Sequence, residues 1–204
     1  MGRNPVKEGV SMFFGKYSAL DYWNKRPNPN NEAGESATRV QRDIEYIREG
    51  VKGATTILEI GPGVGRTLNA YSSGQKITGY DVSRIYTERL MEKAKGLGLS
   101  LEMVYASADA EAFPFSDGQF DVGVSCQVFL HQKPAHLELL MSEMARVCKK
   151  VVVVSGNYKR LGWFKHPHVF VHDYLEMSTK LSCVANNVMA RDRILYFTYA
   201  RSRV

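Results

Sequence analysis

The residues best suited to chemistry begin with Ile57-Leu58-Glu59-Ile60-Gly61-Pro62-Gly63-Val64-Gly65-Arg66-Thr67, a short apolar run ending in three closely spaced glycines. Gly61 and Gly63 let the backbone turn sharply off a strand and approach a ligand closely. A helix opening at Gly65 is expected to aim its first amides at that ligand. A dinucleotide site asks for GxGxxG, but the third glycine here is Gly65, and Arg66 holds the dinucleotide position. Glu59 weighs the same way, because a carboxylate repels a pyrophosphate and attracts an amino acid's ammonium. Asp81 follows Gly61 by twenty residues, at the end of a second apolar run. An acidic side chain there accepts hydrogen bonds from both ribose hydroxyls of a nucleotide or nucleoside. Val82 is placed to pack on the base. A fourth candidate is His131, whose unperturbed imidazole titrates near neutrality and suits proton removal. Its alternative role is to tie down the start of a helix at Pro134.

These residues need a frame, and the chain alternates strands with helices to supply one. Strands are expected over 55–60, 76–81, 101–105, 121–126 and 151–155, with helices over 36–49, 65–72, 83–95 and 134–148. Ser36 is a candidate N-cap and Gly50 a candidate stop. Pro134 suits a first helical turn, where its missing N–H costs nothing. Val151-Val152-Val153-Val154 is apolar without alternation, as a parallel strand covered on both faces requires. That rhythm implies right-handed crossovers and a Rossmann-like, doubly wound α/β sheet. After a short helix over 173–180, strands over 182–189 and 193–200 are joined by a turn tight enough to force an antiparallel pair. The expectation is therefore a seven-stranded sheet, mostly parallel, with an antiparallel C-terminal strand.

With 204 residues the chain fits one domain, and its 44% hydrophobic and 24% charged shares exclude a disordered polymer. No apolar run reaches the length of a membrane span. Met1-Gly2-Arg3-Asn4-Pro5 lacks the apolar core of a secretory signal, so a cytoplasmic protein is expected. Cys126, Cys148 and Cys183 form no CxxC pair and no zinc spacing, which points to reduced, buried thiols. The net charge of +6 is too modest to make nucleic acid the favoured partner.

A third stretch, Ala108-Asp109-Ala110-Glu111-Ala112-Phe113-Pro114-Phe115-Ser116-Asp117-Gly118-Gln119-Phe120-Asp121, completes a pattern with the glycine turn and Asp81. Over 55–155 the chain resembles the class I methyltransferases that use S-adenosylmethionine (SAM), near the ubiquinone/menaquinone-biosynthesis methylases of methyltransferase type 11. The resemblance implies SAM as cofactor. It places Gly61, Gly63 and Gly65 under the methionine part, with Glu59 near its ammonium through water. Asp81 would hold the ribose, Asp109 the adenine amino group and the Ala110 N–H a ring nitrogen. Cys126 and Gln127, just after the fourth strand, would border the methionine chain. Relatives often carry a histidine near His131, the candidate catalytic base.

The sulfonium already activates the methyl group, so the protein has only to align an acceptor and manage one proton. No Asp/Asn-Pro-Pro-aromatic motif follows the fourth strand, which argues against methylation of exocyclic amines in DNA. The strand's end also lacks a carboxylate for a metal, and none is expected. Residues 1–54, with Tyr17, Tyr22 and Trp23, read as an arm and helix able to close over the site. Residues 156–204 read as a substrate-side loop and closing hairpin. The loop mixes Lys159, Arg160 and Lys165 with Tyr158, Trp163, Phe164 and three histidines. That mixture suits an anionic or aromatic small molecule as acceptor. An RNA or protein acceptor ranks second, and a SAM-binding protein without catalysis is the alternative from another class. The acceptor, the methylated atom and the oligomeric state are not encoded legibly.

Overall fold

Seven runs of β-branched and aromatic residues pair into one sheet in the computed structural model, which describes residues 19–25, 36–106, 112–156 and 169–202. They are β1 (Thr56–Ile60), β2 (Lys76–Asp81), β3 (Ser100–Tyr105), β4 (Phe120–Cys126), β5 (Cys148–Gly156), β6 (Cys183–Arg191) and β7 (Ile194–Arg201). Their order is β3-β2-β1-β4-β5-β7-β6. The pairs from β3 to β5 are parallel, whereas β7 runs antiparallel to both β5 and β6. This is the doubly wound, seven-stranded α/β fold expected, with both C-terminal strands closing the sheet as a hairpin.

The helices among the described residues are α1 (Ala19–Asn24), α2 (Ala37–Gly50), α3 (Thr87–Gly96), α4 (Pro134–Val147) and α5 (Tyr174–Lys180). Two cores flank the sheet, and the valine run of β5 serves both. Val152 and Val154 pack with Ile44 and Ile47 of α2 and with Tyr196. Val151 and Val153 pack with Leu137 and Met141 of α4 and with Phe197. All four valines are fully buried, which is why the run needs no polar alternation. No helix among the described residues is long and apolar enough to cross a membrane.

Several local expectations are corrected. Residues 65–72 do not form an α-helix; turns lead to a 3-10 segment, Leu68–Ala70. Gly65 stands at φ 79°, incompatible with a right-handed helix, and the Thr67 and Tyr71 hydroxyls are both drawn onto Glu59. The helix expected from 83 starts at Thr87, and Ser83 instead turns its N–H to Asp81 Oδ1 at 3.0 Å. Ser36 does precede α2, but only its backbone carbonyl caps the helix, accepting from Arg39 and Val40. Asp173 supplies a true side-chain cap to α5, accepting from Glu176 N at 3.0 Å.

The chain leaves β1 to build β2 and β3 on one side, then crosses to β4 and β5 on the other. The two loops at that reversal, after β1 and after β4, therefore diverge and leave a crevice beyond the carboxyl ends of the strands. The candidate residues gather there.

Candidate functional site

Gly61, Gly63 and Gly65 have φ values of 61°, 54° and 79°, so all three occupy the left-handed region. Their surroundings differ. A β-carbon at Gly61 would stand 2.7 Å from Val128 Cγ2, and one at Gly65 would stand 2.7 Å from Leu68 Cδ1 and 2.9 Å from Leu90 Cδ1. At Gly63 it would meet nothing within 4 Å. Gly61 and Gly65 thus pack the turn against its neighbours, while Gly63 faces open space.

Two carboxylates flank the turn in different ways. Asp81, half-buried at the end of β2, accepts from the Gly63 N–H at 3.4 Å through Oδ2 and from Ser83 through Oδ1. Burial raises its pKa against the pull of those backbone donors. Glu59 lies beneath the turn and is only 2% exposed. One oxygen accepts from the Thr67 hydroxyl and the other from Tyr71 OH at 2.9 Å. Burial raises its pKa too, opposed by those hydroxyls and by the charge of Arg66. Glu59 therefore braces the turn from below, while Asp81 borders it at the crevice.

Arg66 joins the turn to the rest of the fold. Its Nη2 lies 3.1 Å from Oδ2 of the buried Asp43 on α2 and donates to Cys126 Sγ at 2.8 Å. Burial pushes the Cys126 thiol up to about 12, so it is no nucleophile near neutrality. Tyr196 OH also donates to Asp43, at 2.7 Å, tying α2 to β7. Lys93 of α3 caps the Gly65 carbonyl at 2.7 Å.

Beyond β4, Gln127 continues the pairing with β5, its N–H donating to Val154 O at 2.7 Å, and its Oε1 accepts from Gly156 N at 3.2 Å. Next comes a 3-10 turn, Phe129–His131, in which Phe129 and Leu130 are buried and His131 is half-buried. The His131 ring stands 5.0 Å from the Trp23 ring of α1, at 75°. One residue on, Asn24 Oδ1 accepts from the Ser83 hydroxyl at 2.8 Å. A single short helix therefore touches both the Asp81 side and the His131 side of the crevice. Phe170 N donates to Leu130 O at 2.7 Å, and His172 Nε2 lies 3.0 Å from Gln132 O, holding the His131 turn from behind.

Asp109 and Ala110 lie outside the described residues, as do Tyr17 and the basic–aromatic stretch over 157–168. The chain enters the 107–111 segment beside Asp81, where Ala106 N donates to Asp81 O at 2.9 Å. It leaves at Phe113, whose N–H donates to Glu143 at 2.7 Å and whose carbonyl accepts from Arg146 at 3.2 Å. Val82 is half-buried next to Asp81.

Glu59, Gly61, Gly63, Gly65, Asp81, Val82, Cys126, Gln127 and His131 thus converge on adjacent loops of β1, β2 and β4. The sequence reading missed Thr67 and Tyr71, the Glu143–Arg146 clamp and the bridge from Asn24 to Ser83. Nothing in their spacing marks them, apart from two hydroxyl residues four apart after the glycine turn.

Residues 57–151 match the family model described as a methyltransferase domain. A phosphatidylethanolamine N-methyltransferase of Cereibacter sphaeroides is 37% identical over 106 residues, which cover 51% of this chain and 51% of that protein. The chain spans about half the length, or less, of the curated relatives it matches. Among solved structures, the PH0226 protein of Pyrococcus horikoshii superposes with a TM-score of 0.70 at 18% identity, covering 89% of this chain and 99% of that one. The magnesium protoporphyrin IX methyltransferase of Synechocystis, with bound S-adenosylhomocysteine (SAH), superposes with a TM-score of 0.68 at 14% identity, covering 96% and 100%. Family model and glycine turn fall on the same stretch, so residues 57–151 of this chain are similar to a methyltransferase domain.

Proposed function

We propose that the chain is a SAM-dependent methyltransferase acting on a small-molecule acceptor. The observation that carries this reading is the open face of Gly63 beside the Asp81 carboxylate, at the point where the sheet reverses direction. Asp81 accepts from the ribose hydroxyls and Val82 lies against the adenine. Asp109 and Ala110, assigned from the resemblance, read the base edge. The glycine turn, Cys126 and Gln127 border the methionine chain. Glu59 acts on that chain through the turn it braces, because it is buried beneath that turn with a hydroxyl on each of its oxygens.

When bound, SAM supplies a methyl group on a positively charged sulfur and leaves as SAH. The protein's own part is to hold the acceptor beside His131 and to take its proton on the imidazole as the new bond forms. Trp23 and the buried Phe129 and Leu130 keep water from that ring. The helix carrying Trp23 acts as a cover, since its contacts reach across the crevice. A small acceptor is also the kind named in the phosphatidylethanolamine and protoporphyrin methyltransferases above.

A screen with labelled SAM and a panel of amines, phenols, carboxylates and phosphatidylethanolamine tests this reading, with RNA and protein fractions as parallel arms. Label appearing in a small molecule supports it. Label appearing only in RNA or protein transfers the reading to that acceptor class, and SAM binding without transfer to any arm leaves a binder without catalysis.

A further inference from the structure

The backbone around His131 is tied at three consecutive residues. Its own N–H donates to Val128 O at 2.9 Å, closing the 3-10 turn. The carbonyl before it, on Leu130, accepts from Phe170 N at 2.7 Å. The carbonyl after it, on Gln132, lies 3.0 Å from His172 Nε2. A carbonyl oxygen only accepts, so Nε2 carries the proton and the tautomer of His172 is fixed. The strap over 170–172 therefore grips the turn on either side of the histidine, once with a backbone donor and once with a side chain. Phe170 and His172 are buried, whereas Val171 between them is 57% exposed. Burial lowers the His172 pKa against the pull of the Gln132 carbonyl, so the gripping ring is neutral near pH 7.

This grip serves the turn and not the start of α4. The first carbonyl of that helix belongs to Lys133, which accepts from Leu137 N at 2.9 Å. Gln132 stands outside the helix, at φ −93° and ψ 138°, and its carbonyl takes no part in it. What the turn presents is the His131 ring, 5.0 Å from the ring of Trp23. Proton transfer works only within hydrogen-bond reach, so a small drift of this turn is costly to turnover. On the reading of His131 as the base, on which this inference rests, we propose that His172 is a positioning residue. Its Nε2–H, donated to Gln132 O, holds the His131 imidazole beside Trp23 and within reach of the acceptor.

The test is NMR of the full chain with isotope-labelled histidine, followed by kinetics. The His131 ring signal is assigned by its absence from His131→Ala, and the ring current of Trp23 sets its position. His172→Phe keeps a flat ring against Phe170 and Tyr174 and removes the donor. His172→Gln returns an amide Nε2–H at the same reach. His172→Met, also without a donor, serves if the Phe variant fails to fold. In His172→Phe the His131 signal should move toward that of an exposed histidine. With an acceptor labelled in the screen above, kcat should fall about tenfold or more, while acceptor KM and SAH affinity stay within about twofold. His172→Gln should keep the signal in place and hold kcat within about threefold of the wild type. A His131 signal unmoved in His172→Phe overturns the proposal. Equal displacement in the Phe and Gln variants also overturns it, because packing and not the donated proton then holds the ring. A His131→Ala protein with undiminished kcat removes the base reading itself, a distinct outcome, and the His131 signal in the His172 variants still decides whether the grip exists.

Discussion

The two sides of the crevice are built from different materials. On the cofactor side, backbone conformation does most of the work: three positive-φ glycines, a strand-end aspartate and a buried glutamate lie within twenty-three residues of one another in sequence. On the side of His131, distant segments of the chain meet. Trp23 comes from an N-terminal helix, His131 from the turn after β4, and Phe170 and His172 from the approach to α5. The first arrangement tolerates few substitutions, above all at Gly61 and Gly65, where positive φ combines with close packing. The second can change its chemistry by changing side chains, as a fold serving many acceptors requires. Variants on the two sides should therefore separate cleanly into binding and turnover.

The largest effect is expected at His131. Its replacement by Ala should lower kcat by about a hundredfold or more, the usual size of general-base catalysis, with SAH affinity within about twofold. Steady-state kinetics with the identified acceptor and calorimetry with SAH check the two halves of that statement. A large drop in melting temperature with unchanged kcat would make the histidine a structural pin for the α4 turn. Next comes Glu59→Ala, which orphans the buried hydroxyls of Thr67 and Tyr71. Each buried group left unpaired costs about 1–3 kcal/mol, so denaturant unfolding should show a loss of several kcal/mol and SAH binding should weaken with it. Trp23→Ala should raise the acceptor KM several-fold and spare SAH affinity. An equal loss of both would show that α1 belongs to the cofactor side.

The smallest and most graded effect is that of pH. Burial raises the Asp81 pKa, so the folded protein takes up this proton at a higher pH than the unfolded chain does. The resulting contribution to stability is full below the unfolded value of about 3.9 and is lost as pH rises through the folded value. Ribose binding needs the ionised form and follows the opposite sign. SAH affinity should fall about tenfold per pH unit once the pH drops below the folded Asp81 value. Asp81→Asn should flatten that dependence in calorimetry between pH 7 and pH 4.5.

What the sequence made legible follows the same division. The sheet, its antiparallel closure and the cofactor loops are written in local patterns: the valine run of β5, the glycine spacing and the strand-end Asp81. The helix expected over 65–72 gives way to turns as Glu59 draws Thr67 and Tyr71 inward, a tertiary pull that local propensity does not contain. Contacts such as Asn24 to Ser83, or Arg146 to the Phe113 carbonyl, join residues that only the folded chain brings together. Their partners share no motif and no spacing, so side-chain types alone leave the acceptor side unread.

The most direct test of the central claim is a calorimetric titration of SAH and of NAD into the wild-type protein and into Asp81→Ala. Micromolar SAH binding to the wild type, about −8 kcal/mol, is expected, with no comparable affinity for NAD. Removing two charge-assisted hydrogen bonds, each worth about 1.5–3 kcal/mol, should weaken SAH by about a hundredfold or more in Asp81→Ala with the apo melting temperature preserved. Tight NAD binding without SAH binding would overturn the cofactor assignment, and an Asp81→Ala protein that binds SAH within fivefold of the wild type would remove Asp81 from the site.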